Sequence, residues 1–145
     1  MSRQAAFVLC AGLCGLVGLG SFTAGYSVAE HKAPARLYEL RTYTTHPGRL
    51  PALHARFRDH TMKLFEKHGM KNGMYWVPTD EKLKDNTLIY VVSHASEDAA
   101  KASWDAFIKD PEWIAARDAS EKDGKIVQKV EKVYMRPTEY SPSGN

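Results

Sequence analysis

Over residues 36–44 the chain reads RLYELRTYT, a run rich in aromatic and β-branched residues that stops at the turn pair Pro47-Gly48. Such a run predicts a strand. Successive side chains of a strand point to opposite faces, so Leu37, Glu39, Arg41 and Tyr43 share one face and Tyr38, Leu40, Thr42 and Thr44 the other. From Arg49 the period changes. Leu50, Leu53, Phe57, Thr61, Leu64 and His68 recur at three- and four-residue steps, the spacing of one helical face. Pro51 suits the first turn of that helix and Gly69 its end. This switch from a period of two to one of 3.6 places the chain among mixed α and β folds.

The remainder continues the alternation of periods. Residues 74–77 form a short strand after Gly73, residues 87–94 (TLIYVVSH) a longer one, and the polar segment 79–86 joins them as a hairpin. Ser96 caps a helix with Glu97 and Asp98 in its first turn, which directs Ala100, Trp104, Phe107 and Ile108 toward a core. Asp110-Pro111-Glu112 is a second start signal, a cap followed by proline at the first helical position, and leads into a short helix with Trp113 and Ile114. Gly124 closes it, residues 126–136 form the last strand, and a tail with Pro137 and Pro142 follows.

The order β-α-β-β-α-β predicts an α+β, ferredoxin-like fold, with helices over one face of a four-stranded antiparallel sheet. The third strand sets Leu88, Tyr90, Val92 and His94 opposite Thr87, Ile89, Val91 and Ser93, so neither face of the central strands is plainly polar. A small sheet apolar on both faces needs a second covering layer, and a twofold partner is the expected one.

Composition limits the classes that such a domain can join. The 145 residues are 43% hydrophobic and 26% charged, an ordinary globular balance, and 20 basic against 17 acidic residues give +3, too small a surplus to indicate nucleic acid. Both cysteines, Cys10 and Cys14, lie in an apolar N-terminal stretch, so neither a disulfide framework nor a cysteine-type zinc site can form in the rest of the chain. That stretch follows Arg3 and runs without a charge through residues 5–19, then passes small residues to Ser27-Val28-Ala29. It has the layout of a secretory signal cleaved after Ala29. Leu9 and Leu13 precede the cysteines, against lipidation. An uncleaved anchor is the alternative, although five glycines dilute the segment of residues 4–29. Cleavage leaves 19 basic and 17 acidic residues, +2, on an exported, periplasmic or secreted chain with no stable membrane insertion.

The strands carry the candidate chemistry. Glu39 and Arg41 stand two apart on one face, flanked by Leu37 and Tyr43, and covering that face would bury a charged pair able to grip a polar ligand or fix strand register. Their expected direction is away from the protomer's own helices, into the space between two sheets. With them, Tyr43, Trp76, Tyr90 and His94 make up the candidate ligand-binding set. His94, at a strand end, suits a barrel mouth, where a base or haem-ligand role stays open. His60 and His68 of the first helix are candidates to face inward, and His46 and His54 read as surface residues. No two histidines stand four apart, so HxxxH metal geometry is absent and no metal site is expected. Trp76, Trp104 and Trp113 with Phe107 read first as core. No GxSxG, phosphate loop, dinucleotide fingerprint, EF-hand or HExxH occurs, and the lysines of residues 122–132 alternate with acids as on a solvated surface.

Tyr38-Glu39-Leu40-Arg41-Thr42-Tyr43, Pro47-Gly48, the segment from Gly69 through Trp76, Trp104 to Phe107, Asp110-Pro111-Glu112-Trp113, Met135-Arg136-Pro137 and Tyr140-Ser141-Pro142 together resemble the NIPSNAP family. The likeness covers residues 36–142, which divides the chain into a signal (1–29), a linker (30–35), that domain and a tail (143–145). It implies a dimeric α/β barrel in which two ferredoxin-like sheets pair around an interior that can hold a small ligand. Animal members are largely mitochondrial, whereas this chain has an export-type N-terminus and one copy of the domain, so mitochondrial roles do not carry over. The wider group of dimeric barrels includes haem-degrading and cofactor-free oxygenases, a likeness of fold alone. Three functional classes follow. A homodimer that binds a small ligand or serves as an accessory protein, without an assignable reaction or cofactor, comes first. An oxygenase or isomerase is second, and a cell-envelope interaction module is third.

Overall fold

A computed structural model describes residues 36–142, so the expected signal, the linker and the last tail residues lie outside the described residues. The elements run β1 (Leu37–Thr45), α1 (Leu50–Arg56), a π-helical turn (Phe57–Thr61), α2 (Met62–Lys67), β2 (Lys71–Trp76), β3 (Thr87–His94), α3 (Glu97–Phe107), α4 (Pro111–Ser120) and β4 (Val127–Met135). The four strands are antiparallel in the order β2-β3-β1-β4, so β1 and β3 are central. This is the ferredoxin-like α+β arrangement that the periodicities predict.

One face of the sheet carries the core. Leu88, Tyr90 and Val92 of β3 meet Leu50, Leu53, Phe57, Leu64, Phe65 and Phe107 of the helices. Tyr90 is the hub, with Phe57, Phe65, Tyr43 and Tyr75 rings within 6.0 Å of its own. The opposite face presents Leu40, Thr42, Ile89 and Val91, paired as Leu40↔Val91 and Thr42↔Ile89. Beside them Val133 is 56% exposed, and the helices' core residues all gather on the other side.

Three local departures from the expected pattern have physical causes. The first helix is not continuous over residues 49–68: its middle widens into the π-helical turn, where the Thr61 hydroxyl donates to the Arg56 carbonyl at 3.1 Å. That side chain shares an acceptor of the helical ladder, as is common where a helix widens. Phe57, Thr61, Leu64 and Phe65 remain buried on both sides of the insertion. Strand β2 begins at Lys71 rather than 74, because a bulge between Asn72 and Tyr75 lets the chain pair earlier with β3. Gly73 sits in that bulge, and a Cβ there would lie 2.7 Å from the Val91 carbonyl oxygen. Finally, Ile108 was expected in the core and is 52% exposed, since α3 ends at Phe107 and Ile108 is its cap.

The expected caps form. Ser96 accepts from the Ala99 N–H and Asp110 from the Glu112 N–H. Asp110 also accepts from Lys67 and His68, which ties the end of α2 to the start of α4. Among the described residues no helix is long and apolar enough to cross a membrane.

Candidate functional site

Strand alternation collects Leu37, Glu39, Arg41 and Tyr43 on one face, as expected, but it is the face beneath the protomer's own helices. The Trp104 indole N–H of α3 donates to Glu39 Oε2 at 2.6 Å, and the Arg41 guanidinium carbon stands over the same indole, 3.6 Å from its centroid. The expectation that Glu39 and Arg41 point away from the helices is therefore corrected. Alternation decides which residues share a face and is silent about which face the helices take. Here the buried neighbours Leu88, Tyr90 and Val92 lie across from Tyr43, Arg41 and Glu39, and a core this apolar draws the helices to its side.

Glu39 is the anchor of the site. It is fully buried and accepts from three side chains: Arg41 Nε at 2.8 Å, His94 Nε2 at 2.9 Å and Trp104 Nε1. Burial alone would raise its pKa. The hydrogen bonds from His94, Arg41 and Trp104, with the Arg41 charge, outweigh that cost and hold the carboxyl at about 2. A carboxylate so far from neutral is a poor proton carrier and a firm acceptor. His94 was expected at a barrel mouth. It is instead fully buried behind Glu39, its Nε2 bonded to that carboxylate and its Nδ1 without a partner among the described residues. A buried carboxylate with three donors gives this end of β1 the means to orient a guanidinium and an indole together.

Tyr43 completes the floor, with Tyr90 fully buried beneath it. Arg41 Nη1 donates to the Tyr43 hydroxyl at 3.2 Å, and the Tyr43 ring meets Tyr90 edge-on at 5.3 Å. The Tyr90 hydroxyl is buried without a hydrogen-bond partner among the described residues, and burial pushes its pKa well up, so it stays protonated. Above Arg41 and Tyr43 opens a cleft of about 350 Å³ between α3, α4 and β4, walled by Trp104, Phe107, Trp113 and Tyr134 and rimmed by Lys101, Asp105 and Lys132.

Five of the six sequence candidates thus come together on the helix-covered face. Glu39, Arg41, Tyr43, Tyr90 and His94 stand on adjacent central strands, while Trp76 pairs with Ile89 on the other face and is 45% exposed. Trp76 borders a separate cleft of about 300 Å³ with His54, Arg58 and Met62. His60 is exposed, and His68 bonds Asp110, so neither joins the floor. Trp104 packs against the core as expected, and its bond to Glu39 is the part of the site that pattern alone does not show. Its signal lay in two unmet needs, an indole N–H on a core-facing helix and a carboxylate on a covered strand. Lys132 and Tyr134 were missed because they join only through the register Arg41↔Lys132 and Glu39↔Tyr134. Among the described residues no group of three or more His, Cys, Asp or Glu side chains is placed to hold a metal ion.

Comparison with known proteins agrees with this architecture. No curated protein matches the chain. Solved structures do. A NIPSNAP family protein of unknown function from Agrobacterium tumefaciens superposes with a TM-score of 0.62 at 22% identity, over 77% of this chain and 96% of its own. A second NIPSNAP family protein from that organism gives 0.64 at 18% identity, over 75% and 99%. A monooxygenase of Streptomyces coelicolor, solved in complex with nanaomycin D, gives 0.53 at 15% identity, over 77% and 95%. At such identities these likenesses concern the fold. The NIPSNAP family model, in contrast, matches residues 38–142, from the first strand through the tail, and on that match the chain belongs to the NIPSNAP family.

Proposed function

We propose that this NIPSNAP-family chain is an exported homodimer that binds a small molecule in the cleft between its helices and sheet. The observation that carries the reading is the floor of that cleft. Arg41 is held from one side by Glu39 and lies against Trp104, so a charged, hydrogen-bonding group is fixed in place at the base of aromatic walls. A cleft of about 350 Å³ falls in the usual range for small-molecule sites, which combine apolar walls with a few fixed polar groups. Glu39 is ionised over the whole neutral range, and among the described residues of the cleft no nucleophile is hydrogen-bonded to a base, which favours binding over acid–base chemistry.

The dimer is inferred from the uncovered face, where Leu40, Ile89 and Val91 adjoin the exposed Val133 and Trp76. That face lies across the sheet from the cleft, so pairing through it leaves the cleft open. Export is inferred from Arg3, the uncharged run that follows and the small residues before Glu30. Expression of the full chain in an exporting host tests the whole reading. The expected product is a dimer by light scattering, begins at Glu30 by intact mass, and releases a small molecule on denaturation that Trp104→Ala does not retain.

A second reading, cofactor-free oxygenation, is favoured by the aromatic walls together with the fold shared with the Streptomyces coelicolor monooxygenase. Oxygen uptake by the purified protein with a phenolic substrate, absent in Arg41→Gln, would select it over binding alone.

A further inference from the structure

The same cleft has a charge pattern that narrows what it can hold. The Glu39 charge is committed to Arg41, His94 and Trp104 below the floor, so the groups that meet a ligand are Arg41 at the base and Lys101, Lys132 and Asp105 at the rim. Among the described residues neither lysine has a carboxylate within salt-bridge distance. Lys132 instead stands 5.5 Å over the Tyr134 ring at the cleft wall.

Arg41 is only partly used. Its Nε serves Glu39 and one Nη1 hydrogen serves Tyr43, while Nη2 has no hydrogen-bond partner among the described residues and the side chain is 13% exposed. A guanidinium presenting unused N–H groups at the base of a cleft is matched by a carboxylate, which accepts two such bonds in the guanidinium plane. A neutral ligand would leave those donors unmet where water is being displaced. The walls select the rest of the molecule. Trp104, Phe107, Trp113 and Tyr134 give the cleft aromatic walls, with one face of Trp104 covered by Arg41 and its N–H held by Glu39. Flat apolar ligands gain from such rings.

We propose that the cleft takes a small aromatic carboxylate, its acid group on Arg41 Nη2 with Lys132 nearby, and its ring against the aromatic walls that Trp104, Trp113 and Tyr134 supply. This rests on the reading of the cleft as a ligand site and adds the chemical class. The shape and charge are those of a one- or two-ring organic acid rather than a sugar or a cation.

Calorimetry on the purified, exported protein at neutral pH tests it with 2-naphthoate and its neutral isostere 2-naphthamide. The expected result is that naphthoate binds about tenfold or more tighter, the weight of one charged hydrogen bond. Arg41→Gln should remove that preference. Because Arg41 also supports the fold, Lys132→Gln, an exposed position, supplies the second variant; it should weaken naphthoate about threefold and leave naphthamide unchanged. Equal affinity for the two probes overturns the proposal while leaving the cleft as a binding site. Naphthoate binding that neither variant alters overturns it too, by placing the acid elsewhere. If neither probe binds, the acid class is refuted, and retention of a co-purified molecule by wild type but not Trp104→Ala still decides the cleft reading separately.

Discussion

Removing one partner from the Glu39 cluster leaves a buried charge without its complement, and that should cost more than the pair contributes when intact. Arg41→Ala keeps the His94 and Trp104 donors, and Glu39→Ala strands Arg41, Trp104 and His94 together. Each single variant is expected to lose about 3–5 kcal/mol in denaturant unfolding. The double variant should lose less than the sum, with a coupling above about 1 kcal/mol. Acid has a related effect. The Glu39 pKa is near 4.5 when unfolded and about 2 when folded, so its contribution is complete above 4.5 and fades as pH falls from there toward 2. The loss is on the order of 3 kcal/mol. A stability–pH curve that is flatter across this window in Glu39→Gln than in wild type would confirm the source.

At the level of elements, Gly73 holds the bulge of β2 against β3. A methyl group there would sit 2.7 Å from backbone, which cannot give way as a side chain does. Gly73→Ala is expected to cost about 1–3 kcal/mol, as overpacking does, and to be read as a lowered unfolding midpoint with unchanged denaturant dependence. Ser96→Ala should cost about 1 kcal/mol through the lost cap of α3. Elements of this kind were readable in the sequence because their signals are local. The Ser96 and Asp110 caps, Pro51, Gly69 and the alternation of β1 each act within a few residues. The bulge, the π-helical turn and the exposure of Ile108 arise from contacts with other elements, which a local pattern does not contain. The site divides along the same line. That Glu39, Arg41 and Tyr43 share a face follows from β1 alone, whereas their burial under α3 and their union with Trp104 depend on a helix 65 residues away.

For the whole molecule, the sheet has two employments, one per face. Helices fill one, and the other leaves Val133 and its neighbours in water unless a second copy covers them. Val133→Asp should therefore convert the expected dimer to a monomer by light scattering, with the cleft residues undisturbed. A full-length monomer in wild type at micromolar concentration would refute the barrel arrangement. The three donors that meet at Glu39 also bear on the order of folding. One comes from two residues away, but the others lie 55 and 65 residues downstream. Before β3 and α3 join the fold, only Arg41 is at hand, and burying that carboxylate would cost its hydration without the His94 and Trp104 donors. The cluster thus works against compaction of the first half of the domain ahead of α3.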